Sequence, residues 1–252
     1  LGNPSLAIVG SRNATRQGQA NAEAFAAAPA IAGITVVSGL ALGIDAAAHR
    51  GALKASAATI AVIGTGADRI YPARNQELAH AIAEKGLIVS EFSLGTPPIA
   101  SNFPRRNRLI AGLGMGCLVV EAAQRSGSLI TARLAAESGR DVFAIPGSIH
   151  SPLSRGCHAL IRQGAKLVES AQDILEEPNW KREVATPVES GDADLPGEEA
   201  ALLRVLGHDP CSADVLVEKS GLTANTVLAM LTTLELDGHV AQLPGGLYQR
   251  LS

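Results

Sequence analysis

The sequence predicts an α/β fold built on a doubly wound, mostly parallel sheet, followed by a small winged-helix domain. Two observations support this prediction. As far as residue 177, short apolar runs rich in Ile and Val alternate with helical patterns, as they do in parallel βαβ units. Beyond residue 177 the apolar alternation stops, and three helical patterns are followed by a hairpin pattern.

The first domain is assigned to residues 1–177. Buried-strand patterns occupy residues 6–10, 34–39, 59–64, 87–92, 117–122, 141–147 and 165–168. Helical patterns lie between them at residues 21–28, 45–54, 75–85, 105–113, 129–138 and 157–163. Because strand and helix alternate throughout, the strands are expected to be parallel and joined by crossover helices.

The rest of the chain divides into a linker and a second domain. Residues 178–197 are polar, acidic and interrupted by Pro and Gly, which is typical of a linker. Helical patterns follow at residues 198–206, 213–220 and 224–236, and residues 239–251 read as a hairpin that closes on Gly245 and Gly246. Three helices and a hairpin predict a winged helix over residues 198–252.

Charge is distributed unevenly along the chain. The net charge is −3, but residues 178–252 carry −6 and residues 1–177 carry +3, so the two parts favour different partners. The helix predicted at 224–236 contains no Lys or Arg, whereas a helix that reads duplex DNA needs such side chains. The C-terminal domain is therefore expected to contact protein, not duplex DNA.

Location is suggested by the cysteines and the apolar runs. The three cysteines are isolated, form no metal-ligand spacing and suit a reducing compartment. The apolar runs are too short for a membrane span, and the chain begins without a signal peptide. We expect a cytoplasmic protein with no membrane partner.

Several catalytic and cofactor motifs are missing. The sequence has no P-loop and no GxSxG elbow, and Gly64-Thr65-Gly66 lacks the third glycine of a dinucleotide fingerprint. Asp45, Glu91 and Glu121 follow strands or open helices, and they suit either catalysis or the capping of helices and loop amides. We predict no catalytic residue, no metal and no cofactor.

Four predicted strands end in small polar residues, at the edge where an open α/β sheet binds ligands. These residues are Ser11 and Arg12, then Ser38 and Gly39, then Ser126, Gly127, Ser128 and Thr131, and finally Gly147 and Ser148. Glycine permits close backbone approach, helix N-termini favour anions, and an arginine grips phosphate with two hydrogen bonds. Such residues also form ordinary turns and caps, but four loops at one edge favour phosphate binding.

A second pattern, an aromatic residue beside a cluster of arginines, also indicates binding to nucleic acid. The segment at 103–108 contains Phe103, Arg105, Arg106, Asn107 and Arg108, and the segment at 71–75 places Tyr71 near Arg74. Rings that stack on bases and guanidinium groups that hold phosphates are typical of single-strand binding.

These segments resemble the DprA/Smf family of DNA-processing proteins. The resemblance is carried by GSR (10–12), SGLALGIDAAAH (38–49), TIAVIGTGADRIYPARN (59–75), SEF (90–92), FPRRNRLIAGL (103–113), VVEAAQRSGSLITARLAAESGR (119–140), PGS (146–148) and SRGCHALIRQGAKLV (154–168). It covers about two thirds of the chain, in order and at the spacing of the family.

The resemblance implies an extended Rossmann-like domain that binds single-stranded DNA in preference to duplex, forms homodimers and loads the RecA recombinase during natural transformation. The family's DNA-contacting positions fall on Arg12, Arg74, the FPRRNR loop and the Ser-Gly-Ser loop. Many members carry a helical domain before this part and a winged helix after it, so we expect the chain to belong to a longer protein.

Two other function classes stay open. The fold also resembles nucleoside-monophosphate phosphoribohydrolases of the LOG type, which use a PGGxGT loop followed by a helical Glu. Here the matching loop lacks the second Gly, Leu129 and Ile130 take the place where a base or ribose would approach, and Glu137 lies beyond. A protein-interaction scaffold is the other class, although it leaves the arginines unexplained.

Overall fold

The structure is a computed structural model that describes residues 4–177, 180, 197–206 and 210–251. The chain divides into two units, Leu1–Ala185 and Thr186–Ser252. In the described part of the chain, no helix combines the length and the apolar character that crossing a membrane requires.

A seven-stranded sheet forms the centre of the first unit. Its strands are β1 (Ser5–Val9), β2 (Thr35–Ser38), β3 (Thr59–Val62), β4 (Leu87–Val89), β5 (Gly116–Val119), β6 (Asp141–Ala144) and β7 (Lys166–Leu167). They are ordered β4-β3-β2-β1-β5-β6-β7, and every neighbouring pair is parallel. The prediction of a doubly wound, mostly parallel sheet is confirmed.

Helices cover both faces of this sheet. They are α1 (Arg16–Ile31), α2 (Ile44–Lys54), α3 (Gln76–Lys85), α4 (Asn102–Leu113), α5 (Ser128–Glu137), α6 (Arg155–Arg162) and α7 (Gln172–Leu175), with a 3-10 turn at Ala73–Asn75. Side chains alternate along each strand, so Leu6 and Ile8 face α1 and α2, whereas Ala7 and Val9 face α4 and α5. Loops that leave neighbouring strands toward opposite faces open a crevice between them.

The core of the first unit extends past residue 177. Trp180 is 2% exposed, and its ring lies edge-on to Phe143 with centroids 6.0 Å apart. Its indole N–H donates a hydrogen bond to the Asp141 carboxylate at 3.1 Å. The sequence places Trp180 in the linker at 178–197, but the structure packs it against the sheet. Residues 181–196 lie outside the described residues, so the remainder of that linker stays a prediction.

The second unit is a three-helix arrangement with a small antiparallel sheet. Its elements are α8 (Gly197–Leu206), β8 (Cys211–Ser212), α9 (Ala213–Ser220), α10 (Ala224–Leu236), β9 (Val240–Leu243) and β10 (Leu247–Arg250), with strand order β8-β10-β9. Gly245 and Gly246 have φ of 88° and 71°, which suits the tight turn between β9 and β10. The predicted helices and hairpin are confirmed, and the two-residue β8 was too short to recognise.

Candidate nucleic-acid interface

A cavity opens at the carboxyl edge of the sheet, where the winding direction changes between β1 and β5. Its volume is about 360 Å³, and it is lined by the loop after β1, the loop after β5 and the first turns of α2, α4 and α5. The helices that follow β1 and β5 pack on opposite faces of the sheet. This is the position at which open α/β sheets bind their ligands.

The N-terminus of α5 faces this cavity. Ser126, Gly127, Ser128 and Thr131 all line it. The hydroxyl groups of Ser126 and Ser128 lie 2.7 Å apart in a hydrogen bond, and Asn107 donates a long hydrogen bond of 3.4 Å to the carbonyl of Gly127. The positive end of the helix dipole and the two hydroxyl groups make this wall suitable for a phosphate.

The N-terminus of α1, by contrast, is occupied by a carboxylate of the chain. Glu121 accepts hydrogen bonds from the main-chain N–H of Thr15 at 3.0 Å and from its hydroxyl at 2.5 Å. A Cβ atom on Gly18 would collide with that carboxylate. In dinucleotide-binding sheets, the pyrophosphate lies at the N-terminus of the helix that follows the first strand. Here the Glu121 carboxylate already occupies that position, which agrees with the absence of the dinucleotide fingerprint from the sequence. The capping interpretation of Glu121 is the one that the geometry favours.

Arg12, Phe103 and Tyr71 form one cluster beside the cavity. The guanidinium carbon of Arg12 lies 5.6 Å from the centroid of the Phe103 ring, and the Tyr71 ring lies 5.6 Å beyond at an angle of 40°. Phe103 packs so closely on Gly64 that a Cβ there would touch the ring. Arg12 and Tyr71 are exposed, so a cation and an aromatic ring are accessible together.

The arginine segment forms the start of a helix, in agreement with the helical pattern at 105–113 and not with the FPRRNR loop that the resemblance implies. Helix α4 begins at Asn102, which places Pro104 in the first turn, where its missing N–H is tolerated. The helical period then separates the three arginines. Arg106 points into the protein and is 4% exposed, whereas Arg105 and Arg108 are exposed on the opposite side.

Three of the predicted DNA contacts, Ser38, Gly39 and Arg106, are buried structural groups. Arg106 donates hydrogen bonds to the carbonyl of Gly39, at 2.6 Å, and to the carbonyl of Val62. These two hydrogen bonds join the ends of β2 and β3. The hydroxyl of Ser38 is fully buried and donates to the carbonyl of Ile8 at 2.6 Å. Gly39 is buried against the Arg106 guanidinium, with no space for a Cβ. The structure thus corrects two predictions: Ser38 and Gly39 do not form an open phosphate-binding loop, and Arg106 is not free to hold a phosphate.

The remaining predicted residues lie outside the cavity. Arg108 forms an ion pair with Glu91, and Arg105 stacks on Phe92. Arg74 is exposed in the 3-10 turn but lines neither the cavity nor the smaller cleft beside Tyr71. The loop after β6 does not line the cavity either, and its Gly147 carbonyl is bonded to His158. Two of the four predicted strand ends, those of β1 and β5, therefore meet at the cavity.

The cavity has a positive lining with one carboxylate among its described residues. Arg12, Arg106 and Arg125 supply the positive charges, and Asp45 supplies the carboxylate. Burial raises the pKa of Asp45, and Arg106 and Arg12 oppose that shift. Asp45 also accepts a hydrogen bond from the N–H of Ala41 at 3.3 Å. Sequence reasoning missed Arg125, although its position directly before the Ser-Gly-Ser loop was a usable signal.

No group of His, Cys, Asp and Glu that suits a metal ion was found in the part of the chain that the structure describes. Two free cysteines, Cys117 and Cys157, are buried. Burial raises the pKa of both thiols to about 12, so neither is a thiolate near neutral pH.

Comparison with protein families gives two matches that together cover most of the chain. A family model described as DNA recombination-mediator protein A matches residues 1–179, and a model of the DprA winged helix domain matches residues 186–246. Protein Smf of Escherichia coli (strain K12) is 46% identical over 255 residues, which is 98% of this chain and 67% of that protein.

Solved structures give the same result. The X-ray structure of DNA processing protein A from Streptococcus pneumoniae has a TM-score of 0.66 and 51% identity, covering 69% of this chain and 62% of that one. The structure of DNA processing protein A from Helicobacter pylori has a TM-score of 0.64 and 32% identity, covering 68% of this chain and 78% of that one. That structure describes a unique single-stranded DNA binding mode of the Helicobacter pylori protein.

Proposed function

The chain belongs to the DNA recombination-mediator protein A family, and we propose that it binds single-stranded DNA at the cavity between β1 and β5. The Helicobacter pylori relative binds single-stranded DNA. One observation carries the proposal to this chain: Arg12 and Phe103 stand together at the mouth of a positively lined cavity whose far wall is the N-terminus of α5.

The contacts that we propose divide into two kinds. Arg12, Ser126, Ser128 and the start of α5 hold phosphates, because guanidinium groups, hydroxyls and helix N-termini are their usual partners. Phe103 stacks on a base, with Tyr71 extending the aromatic surface. Asn107, Gly127 and Thr131 shape the wall of the cavity. Ser38, Gly39 and Arg106 hold these elements in place and do not touch the DNA.

The cellular role that we propose is that of a recombination mediator. The protein would protect incoming single strands and load RecA onto them during natural transformation, acting as a homodimer in the cytoplasm. Free cysteines at Cys117, Cys157 and Cys211 suit that reducing compartment. Sedimentation at tens of micromolar tests the dimer, and RecA filament formation on coated single strands tests the loading.

The phosphoribohydrolase alternative has less support. That type has a Glu on the helix after its PGGxGT loop, yet here the matching Glu137 is the last residue of α5, whereas the cavity lies at the first turn. The carboxylate that does line the cavity, Asp45, comes from α2 and not from this helix. The nine-residue step along α5 from Ser128 to Glu137 places Glu137 roughly 14 Å from the cavity. Glu137 is also exposed and pairs with Arg133. We therefore propose a binding protein without catalysis, and release of base from a purine monophosphate would argue otherwise.

Fluorescence anisotropy with a labelled oligonucleotide tests the proposed function. We expect single strands of mixed sequence to bind with similar affinity, and duplexes of the same length to bind much more weakly, because phosphate cradles and stacking read no base edges. Affinity should fall as salt rises from about 50 to 200 mM, since released counterions drive the association. Equal affinity for the duplex, or indifference to salt, would contradict the proposal.

A further inference from the structure

Phe92 follows β4 and forms a second aromatic-arginine pair at the edge of the sheet. The guanidinium carbon of Arg105 lies 5.7 Å from the centroid of the Phe92 ring, close to the 5.6 Å that separates Arg12 from Phe103. The chain contains four phenylalanines. Two of them, Phe25 and Phe143, are core residues. The other two, Phe92 and Phe103, each lie beside an arginine at the carboxyl edge of the sheet. Both of the phenylalanines outside the core are therefore at this edge.

The Phe92 main chain is held in a fixed position. The hydroxyl of Ser90 donates to the carbonyl of Thr65 at 2.6 Å and accepts a hydrogen bond from the N–H of Phe92 at 3.1 Å. The side chain of Asn102 donates to the carbonyl of Gly64 at 3.1 Å, which fastens α4 to the same segment. Both aromatic-arginine pairs are therefore anchored to the residues that follow β3, and binding would lose little entropy at either one.

The charges around Phe92 favour a polyanion. Arg105 is exposed, and it forms no ion pair with any acidic group of the described residues. Glu91, the neighbouring carboxylate, is already paired with Arg108. The helical period of α4 places Arg105 on the side away from Phe103. The pair therefore lies on the β4 flank of α4, separate from the cavity.

We propose that Phe92 and Arg105 form a second stacking platform, on which a single DNA strand leaving the cavity places a base on the Phe92 ring and a phosphate against the Arg105 guanidinium. The proposal rests on the proposed function. β4 is three strand positions from β1 in the sheet, which corresponds to roughly 14 Å. About four stacked nucleotides cover that distance. The protein would thus hold a strand at two points along its edge.

A tryptophan at position 92 reports stacking directly. In Phe92→Trp, bases stacked on the new indole should quench its emission, whereas Trp180 is 2% exposed in the core and provides a constant background. Oligothymidylates of about twelve nucleotides should quench strongly, and those of about three should not, because they fill the cavity without reaching β4. Wild-type protein, with Trp180 alone, is the control for quenching elsewhere.

Affinity provides the second measurement. Phe92→Leu keeps an apolar side chain but removes the ring, and it should weaken binding of the long oligonucleotide roughly tenfold while leaving that of the short one unchanged. Leu94→Ala is the matched control, since Leu94 is 76% exposed in the same loop and carries no ring. We expect it to bind both oligonucleotides like the wild type.

The outcomes separate the platform from the proposed function. If the wild type binds single strands but Phe92→Trp is not quenched, the platform is overturned and the cavity proposal stands. The same holds if Phe92→Leu loses affinity equally for long and short strands, because the effect is then not a second contact. A wild type that binds no single strand would overturn both.

Discussion

In the proposed site, Arg12 would hold a phosphate and would also lie against the ring that stacks on a base. Its guanidinium is exposed, lies over Phe103 and lines the cavity. Arg12→Ala should lose roughly 1–3 kcal/mol of single-strand binding, the usual contribution of hydrogen bonds to a charged group. Arg12→Lys should recover only part of this binding energy. The Lys ammonium keeps the charge, but it cannot donate two parallel hydrogen bonds to a phosphate as the guanidinium does, and it stacks less well on the Phe103 ring. Titration of a labelled strand measures both.

The matched control for Arg12 is Arg140. That residue is also exposed, but it directly precedes β6 and so lies at the amino edge of the sheet, opposite the cavity. Arg140→Ala removes the same charge and should bind nearly as well as the wild type. Equal losses in the two variants would mean that net charge, not the site, drives binding. A lower unfolding midpoint in Arg12→Ala would mark Arg12 as structural.

We expect His49 to make the stability of the fold depend on pH. Its Nδ1 lies 2.8 Å from the hydroxyl of Thr59, which donates its own proton to the carbonyl of Val36, so Nδ1 must carry the hydrogen. Nε2 is then a buried acceptor for which the described residues provide no hydrogen-bond partner. Burial, with Arg106 and Arg50 nearby, lowers the pKa of His49 to about 3. This burial could not be predicted from the sequence, because the pattern around a helical histidine is the same whether the side chain is buried or exposed.

The sign of the pH effect follows from the lowered pKa. The unfolded chain takes up a proton near pH 6.5, whereas folded His49 stays neutral until about pH 3. The free energy of unfolding should therefore fall as the pH drops below 6.5, by at most about 1.4 kcal/mol per pH unit from this residue. In urea titrations at pH 7 and pH 5, His49→Gln should show a smaller difference than the wild type. An unchanged difference would exclude His49 as the cause.

At the scale of elements, α1 depends on a carboxylate that comes from another part of the chain. Glu121 binds both polar groups of Thr15, the residue that caps the helix. Glu121→Ala should lower the free energy of unfolding by about 1–2 kcal/mol, from the lost hydrogen bonds to Thr15 and the lost helix-dipole interaction. Glu121→Gln should lose less, because its amide oxygen still accepts. Urea unfolding measures both.

Glu137 is the control for this prediction. It is exposed at the end of α5, and its ion pair in the described part of the chain is with Arg133, four residues earlier, at 3.5 Å. Such a pair contributes a few tenths of a kcal/mol, so Glu137→Ala should scarcely change stability. If Glu121→Ala were as mild, the Glu121 carboxylate would not be what holds the start of α1.

The elements also show which parts of the site the sequence could predict. Strands end in Gly or Ser at one edge, so the loops after β1 and β5 could be assigned to the ligand side from the pattern alone. Arg106 could not be assigned, because its partners, Gly39 and Val62, are brought together by the pairing of β2 with β3. The helical period from Asn102 would have separated Arg105 from Arg106. The helical pattern at 105–113 already contained that signal, but the sequence prediction treated the three arginines as one DNA-binding cluster.

For the whole molecule, charge divides between the two units. Residues 186–252 contain three basic and ten acidic residues, and the remainder of the chain is net positive. In the winged-helix unit, α10 is the helix that would enter a major groove. Its exposed side chains include Asn225, Leu228 and Thr232, and it has no Lys or Arg. A surface without cations, in an acidic unit, repels a phosphate backbone at moderate salt.

Separating the two units tests whether the sheet unit alone binds single strands and whether the winged-helix unit binds duplex DNA. A protein of residues 1–185 keeps Trp180 and both faces of the sheet, so it should fold and bind single strands with an affinity close to that of the full chain. A slight improvement is the expected direction, because ten carboxylates are removed with three cations. The isolated residues 186–252 should not shift a duplex at about 100 mM salt. Tight duplex binding by that fragment, or loss of single-strand binding by a folded 1–185, would show that the winged helix contacts DNA after all.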